Sequence, residues 1–189
     1  NKIKFILGDI RDYDSVFKAM KGCKSVIHLA ALVGIPYSYV SPLAYLKTNL
    51  EGTYNVLESA KNLSLKNIVI TSTSEVYGSA KYLPMDEVHS VNSQSPYAAS
   101  KASSDQLSLS YFKSFNLPIK IIRPFNTYGP RQSNRAIIPS IINQCLKNKN
   151  KKIILGNTQP TRDFSYVEDT CEAFLKVLKN KRLFGQVVN

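Results

Sequence analysis

Short apolar runs alternate with helix-patterned segments along the 189 residues, and that alternation limits the fold more than any single motif does. Ile3 to Leu7 reads as a strand with its exit turn at Gly8-Asp9. Asp12 or Asp14 can cap a helix from Ser15 to Lys21 that Gly22 closes, and Ser25 to Leu29 is the next strand. Leu43, Leu46, Leu50, Tyr54 and Leu57 give Pro42 to Asn62 a helical period, while Thr48-Asn49-Leu50-Glu51 matches a capping box. That helix either begins at Thr48 or is irregular there. Ile68 to Thr71 and Ile119 to Arg123 read as strands, Pro96 to Phe115, Ile137 to Lys147 and Val167 to Lys179 as helices, and Ile153 to Leu155 as a short strand. The repeated strand-then-helix order predicts an α/β fold with a mostly parallel sheet and helices on both faces. Ligands of such sheets bind beyond the carboxyl ends of the strands, where this chain gathers its polar, charged and glycine residues.

Composition narrows the function classes. With 43% hydrophobic residues the chain can bury a full core, and it has no apolar run long enough to span a membrane and no signal-peptide pattern at its start. Cys23, Cys145 and Cys171 stand far apart, as reduced cytoplasmic thiols do, and with only His28 and His89 besides they suggest no metal site. The formal charge of +12 admits a nucleic-acid partner, but the only dense basic run, Lys147 to Lys152, has no interleaved aromatics. A solvated basic surface is the better reading.

Chemistry concentrates between Val69 and Lys101. The strand ending at Thr71 runs into Ser72, Thr73, Ser74 and Glu75, as a buried strand emerging into an active site would. Ser95 and Pro96 fit the N-cap and first position of a helix, which puts Tyr97 and Lys101 four apart on one face. An ammonium one turn from a phenol favours the phenolate, so Tyr97 is expected to have a lowered pKa and to serve as a base. The run Arg123-Pro124-Phe125-Asn126-Thr127-Tyr128-Gly129-Pro130-Arg131-Gln132 reads as a structured binding loop.

Six motifs stand together in order: Gly8-Asp9-Ile10-Arg11-Asp12, His28-Leu29-Ala30-Ala31, Asn49-Leu50-Glu51-Gly52-Thr53, Ser72-Thr73-Ser74-Glu75-Val76-Tyr77-Gly78, Tyr97-Ala98-Ala99-Ser100-Lys101 and Arg162-Asp163-Phe164-Ser165-Tyr166-Val167-Glu168-Asp169. In this order they resemble the extended short-chain dehydrogenases, the NAD-dependent nucleotide-sugar epimerase/dehydratase family, over essentially the whole chain. The resemblance implies a Rossmann-like, doubly wound sheet, with residues 1–130 a partial NAD-binding domain and 131–189 a partial substrate-binding region interleaved with the last sheet elements. The family's glycine-rich phosphate turn has no counterpart here, so an internal fragment is expected, and weak or no NAD binding if the chain stands alone.

Carried over by resemblance, Asp9 and Ile10 contact the adenine, Leu29, Ala30 and Ala31 back the cofactor, and Asn49 lies near the nicotinamide side. Tyr97 is the base, Lys101 its cationic partner and ribose ligand, and Thr73 polarises the same sugar hydroxyl. Glu75 implies a second proton abstraction, as in 4,6-dehydratases, which often carry Asp where this chain has Ser74. Asn126, Arg131 and Arg162 fall to the nucleotide-sugar diphosphate. The closest resemblance is to UDP-N-acetylglucosamine-type 4,6-dehydratases of legionaminic-acid-like pathways, which makes a cytoplasmic homodimer acting on UDP- or GDP-N-acetylglucosamine the expectation. Decarboxylases of UDP-glucuronate share Thr-Ser-Glu, 4-epimerases share the Tyr-Lys pair, and a non-catalytic nucleotide- or RNA-binding relative is the reading from another class.

Overall fold

Four parallel strands carry the fold: β1 (Ser25–His28), β2 (Asn67–Thr71), β3 (Ile119–Ile122) and β6 (Val187–Val188) lie side by side in that order. The computed structural model describes residues 3–147 and 152–189. Its other elements are helices α1 (Tyr13–Met20), α2 (Ile35–Val40), α3 (Pro42–Tyr45), α4 (Gly52–Asn62), α5 (Pro96–Phe115), α6 (Ile137–Lys147) and α7 (Val167–Lys179), and strands β4 (Asn126–Tyr128) and β5 (Phe164–Tyr166). The chain forms two compact units, Asn1–Pro124 with Phe174–Asn189, and Phe125–Ala173.

In the first unit the alternation of strand side chains decides what packs where. Ile68 and Ile70 of β2 and Ile119 and Ile121 of β3 point to one face, where they join Val56, Leu57 and Ala60 of α4, Val16 and Met20 of α1 and Tyr111 of α5. Each such side chain, fully buried, contributes about 1.5–3 kcal/mol. Lys120 points to the opposite face, and its buried ammonium donates to the Val177 and Leu178 carbonyls at the end of α7 at 2.8 and 2.9 Å. A cation there satisfies carbonyls that the helix cannot. Helices therefore cover both faces of a parallel sheet, as the alternation predicts.

Residues 42–62 are continuously helical but not regularly so: Leu46–Glu51 is a π-helical turn between α3 and α4, where the Gly52 N–H reaches back to Lys47 O. Of the two readings open for this segment, irregularity is what the structure has. Two expected strands are absent. Ile3 to Leu7 pairs with nothing among the described residues and leaves Ile3, Phe5 and Leu7 exposed, because a strand exists only with a ladder partner. Ile153 to Leu155 is no strand because the Gln144 amide takes the place of a partner, accepting from Ile154 N–H at 2.8 Å and donating to its carbonyl at 3.0 Å. Of the basic run Lys147 to Lys152, residues 148–151 lie outside the described residues. The second unit holds β4 and β5, paired in parallel, with the Tyr128 ring 5.6 Å from that of Tyr166.

His28 ends β1 in the core, 4% exposed. The Thr53 hydroxyl donates its one proton to Asn49 O at 2.6 Å, so His28 Nε2, 3.2 Å from that hydroxyl, is the donor in their bond. Burial drives His28 down from 6.5 to about 3, helped by the charge of Lys101. The unfolded chain then binds a proton below pH 6.5 that the folded chain refuses until about 3, so stability is lost as pH falls through that window. In the whole protein the step from pH 7 to pH 5 should cost about 2 kcal/mol through this group. Urea titrations of wild type and His28→Asn at both pH values check it, and equal pH sensitivity in the two proteins contradicts it.

Candidate active site

Helix α5 delivers the reactive groups because its start is fixed. Ser95 caps it, accepting from Ala98 N–H at 3.1 Å, and Pro96 opens the first turn. From there Tyr97, Lys101 and Asp105 fall four apart on one face, and all three are buried. This face meets the exit of β2. The Lys101 ammonium donates to the Thr71 carbonyl, the Ser72 hydroxyl donates to Asp105 Oδ2 at 2.8 Å, and the Thr73 hydroxyl lies close enough to the Tyr97 phenol to act on it. Three successive turns of the helix are thus matched to three successive residues leaving the strand.

Thr73 also caps the short 3-10 turn Ser74–Tyr77, accepting from Glu75 N–H at 3.3 Å. That turn holds Glu75 half-buried, close enough for its charge to act on Tyr97, while Ser74 is fixed through its N–H to Pro124 O at 3.1 Å. Gly78 ends the turn at φ 68.

The expected lowering of Tyr97 is not found. Burial dominates and pushes the phenol above its ordinary value; the Thr73 hydroxyl pulls it down, and Glu75 and Tyr45 push it further up. Lys101 does not offset this, because its ammonium is turned onto the Thr71 carbonyl. Burial also lowers Lys101 itself to about 8, against the attraction of Asp105.

Asn49, on the π-helical turn, serves as a structural clamp. Its amide accepts from Leu32 N–H at 2.8 Å and donates to Leu32 O at 3.0 Å and Ser100 Oγ at 2.9 Å. The clamp fixes the turn after β1, where Leu29 and Ala30 are exposed and Ala31 is half-buried. Ile10 rests on Gly52, at which a Cβ would come within 2.9 Å of Ile10 Cγ2, and Asn55 Nδ2 donates to Ile10 O at 3.0 Å. Asp9 is solvent-facing, and the Arg11 side chain beside it holds its carboxyl down at about 2.

Asn126, Arg131 and Arg162 belong to the second unit. Asn126 is half-buried on β4 with its N–H on Asp163 O at 3.2 Å, and Arg162 is exposed, its guanidinium donating to Thr161 O at 2.7 Å. Arg131 is exposed at φ 67, a left-handed conformation that non-glycine residues adopt at a cost. Sequence reasoning missed Asp105, Ser72 and Arg123 as a group around the site; Ser72 and Arg123 stood in separate motifs, and Asp105 showed only as a spacing from Lys101.

The family model of GDP-mannose 4,6 dehydratase matches residues 1–189. The chain is 37% identical to a dTDP-D-glucose 4,6-dehydratase of Dictyostelium discoideum, covering 98% of this chain and 45% of that protein. It is 36% identical to a putative UDP-glucose 4-epimerase of Methanocaldococcus jannaschii, covering 100% of this chain and 62% of the relative. Among solved structures, a dTDP-glucose 4,6-dehydratase from Streptomyces venezuelae with NAD bound superposes with a TM-score of 0.88 at 30% identity, covering 95% of this chain and 55% of its own. The chain spans about half the length of such relatives.

The turn that carries Glu75 depends on Gly78. A Cβ there would lie 2.2 Å from the Asn92 carbonyl oxygen, at a φ of 68. Gly78→Ala should therefore lower stability by about 2 kcal/mol or more. Gly156→Ala, whose Cβ meets nothing within 4 Å, is the control and should stay within about 0.5 kcal/mol of wild type in the same urea titration.

Proposed function

The chain belongs to the GDP-mannose 4,6-dehydratase family, and from that premise we propose that the whole protein is an NAD-dependent nucleotide-sugar 4,6-dehydratase. The observation that carries this reading is Glu75, a carboxylate on the turn directly after Thr73 and within electrostatic reach of Tyr97. In this reading Tyr97 takes the proton of the sugar C4 hydroxyl while Thr73 hydrogen-bonds the same oxygen. NAD, when bound, would supply hydride acceptance and return. A ketone at C4 acidifies the C5 proton. Glu75 would remove that proton and hydroxide would depart from C6 with a proton as water, after which the hydride returns to C6 and a proton to C5; Ser74 stands where many such enzymes hold an acid for the departure.

Asp9, Ile10 and Leu29 to Ala31 fit the adenosine side of the cofactor, and Asn126, Arg131 and Arg162 the diphosphate of the sugar nucleotide, the arginines through charge-assisted bonds. UDP- or GDP-N-acetylglucosamine is the first substrate to test, and dTDP-glucose, named for the relatives, the second. Leu43, Leu46 and Tyr54 are exposed along the 42–62 segment, which supports its pairing with a second copy in a homodimer.

A 4-epimerase is the second reading, favoured by the hydroxyl of Ser74 in place of an acid and by an epimerase relative nearly as similar as the dehydratase one. Incubation of the whole protein with each nucleotide sugar decides between them by mass. Loss of one water supports dehydration; unchanged mass with inverted C4 gives epimerisation, and carbon dioxide from UDP-glucuronate gives decarboxylation. Under dehydration, Glu75→Gln should lower water loss about 10²–10⁴-fold while reduced cofactor still forms, and Tyr97→Phe should lower both. Full turnover by Glu75→Gln would remove the observation on which the reading rests.

A further inference from the structure

Behind Lys101 lies an ion pair that the chemistry above leaves without a task. Asp105 and Arg123 are both nearly inaccessible, with side chains 1% and 4% exposed, and Arg123 Nη2 lies 2.9 Å from Asp105 Oδ2. The same oxygen accepts from Arg123 Nε at 2.9 Å and from Ser72 Oγ at 2.8 Å, while Oδ1 accepts no hydrogen bond among the described residues. Arg123 continues outward, donating to the Tyr77 hydroxyl at 3.0 Å with its guanidinium 4.9 Å from that ring. Tyr77 closes the turn that carries Glu75. One carboxylate is therefore bonded to the strand exit, sits one helical turn from Lys101, and reaches the Glu75 turn through a single arginine.

We propose that Asp105 is a positioning residue for the reaction: its clamped carboxylate, one helical turn from Lys101, is the counter-charge to that ammonium and holds the Tyr97–Lys101 face of α5 in register with the Thr71–Glu75 turn. This rests on the reading of Tyr97 and Lys101 as the reacting pair. Two groups act on Lys101 from the elements packed around it, Asp105 on its own helix and His28 at the end of β1, and His28, itself driven down to about 3, is neutral there at neutral pH. Around Asp105 stand Lys101, Arg123, Ser72 and, through Arg123, Tyr77. Burial pushes the Asp105 carboxyl up, while Arg123, Ser72 and Lys101 pull it down. Paired with a guanidinium that stays protonated at any working pH, it is the carboxylate. Lys101, at about 8, loses its charge as pH rises through that value, and without Asp105 the loss moves to lower pH.

The test is the titration of Lys101 in the whole protein labelled with ¹³C-lysine, the Lys101 signal being the one missing from Lys101→Arg. Wild type should titrate near 8, and Asp105→Asn about one pH unit lower. Because that variant strands a buried arginine, Asp105→Asn/Arg123→Gln is measured beside it and should shift the same way by less. Asp105→Glu should recover the wild-type midpoint. In turnover, Asp105→Asn should lose about fivefold in kcat at pH 8 with KM for the nucleotide sugar little changed. An unmoved Lys101 midpoint in the two asparagine variants overturns the proposal, and so does a moved midpoint with unaltered kcat. A wild-type protein inactive on every nucleotide sugar would instead remove the reading of its function, while the titration still reports on Asp105.

Discussion

The amide of Asn49 is the contact on which the placement of everything else depends. It binds the backbone of Leu32 in both directions, and so holds the turn after β1; its other amide proton goes to Ser100 on α5. Its own carbonyl accepts from the Thr53 and Ser104 hydroxyls at 2.6 and 2.9 Å. The carbonyl lies in the π-helical turn Leu46–Glu51, with Thr53 reaching it from the first turn of α4 and Ser104 from α5. Each of these groups, buried and unpaired, would cost about 1–3 kcal/mol, so the segments are held in one relative register rather than several. Ser100 lies between Tyr97 and Lys101 on the same helix, and the register set by Asn49 is therefore inherited by both.

The opposite end of that helix face is held differently. Where Asn49 uses neutral hydrogen bonds that compete weakly with one another, Asp105 and Arg123 use full charges in a nearly dry environment. A buried ion pair gains little net stability, because the attraction is offset by the desolvation of both partners. What it adds is intolerance of misplacement: either charge without the other is costly, so β2, the start of the loop after β3 and α5 meet in one geometry. The neutral clamp and the charged one bracket Tyr97 and Lys101 from two sides.

Much of this was legible from local pattern. The Ser95-Pro96 start and the apolar spacings gave α5, α6 and α7 their bounds, and the strand-helix order gave the parallel sheet. What stayed hidden is set by distant partners. Ile3 to Leu7 has the apolar content of a strand, but content does not supply a neighbour. Ile153 to Leu155 lost its ladder to one glutamine side chain, and the two-residue strand β6 is recognisable only once Ile121 and Ile122 lie beside it. The Tyr97–Lys101 spacing puts the two groups on one face and says nothing of where the ammonium aims; the Thr71 carbonyl, thirty residues back, decides that. Asp105 was visible as a spacing, and Arg123 as a motif, but their pairing is a fact of the fold.

Glu75 ties these electrostatics to the chemistry. Beside a phenol that burial already pushes up, a carboxylate pushes it further, which works against forming the phenolate that takes a hydroxyl proton. For a reaction that only removes and returns hydride at one carbon, such a residue is a burden on the base and has no compensating task. For a reaction that must also take a proton from the neighbouring carbon, it has a task as a second base. The buried network around Lys101 bears on the lysine's own charge, with Asp105 opposing the burial that would neutralise it. One carboxylate thus works against the phenol from the turn after β2, while a second, on the phenol's own helix, works for the ammonium beside it.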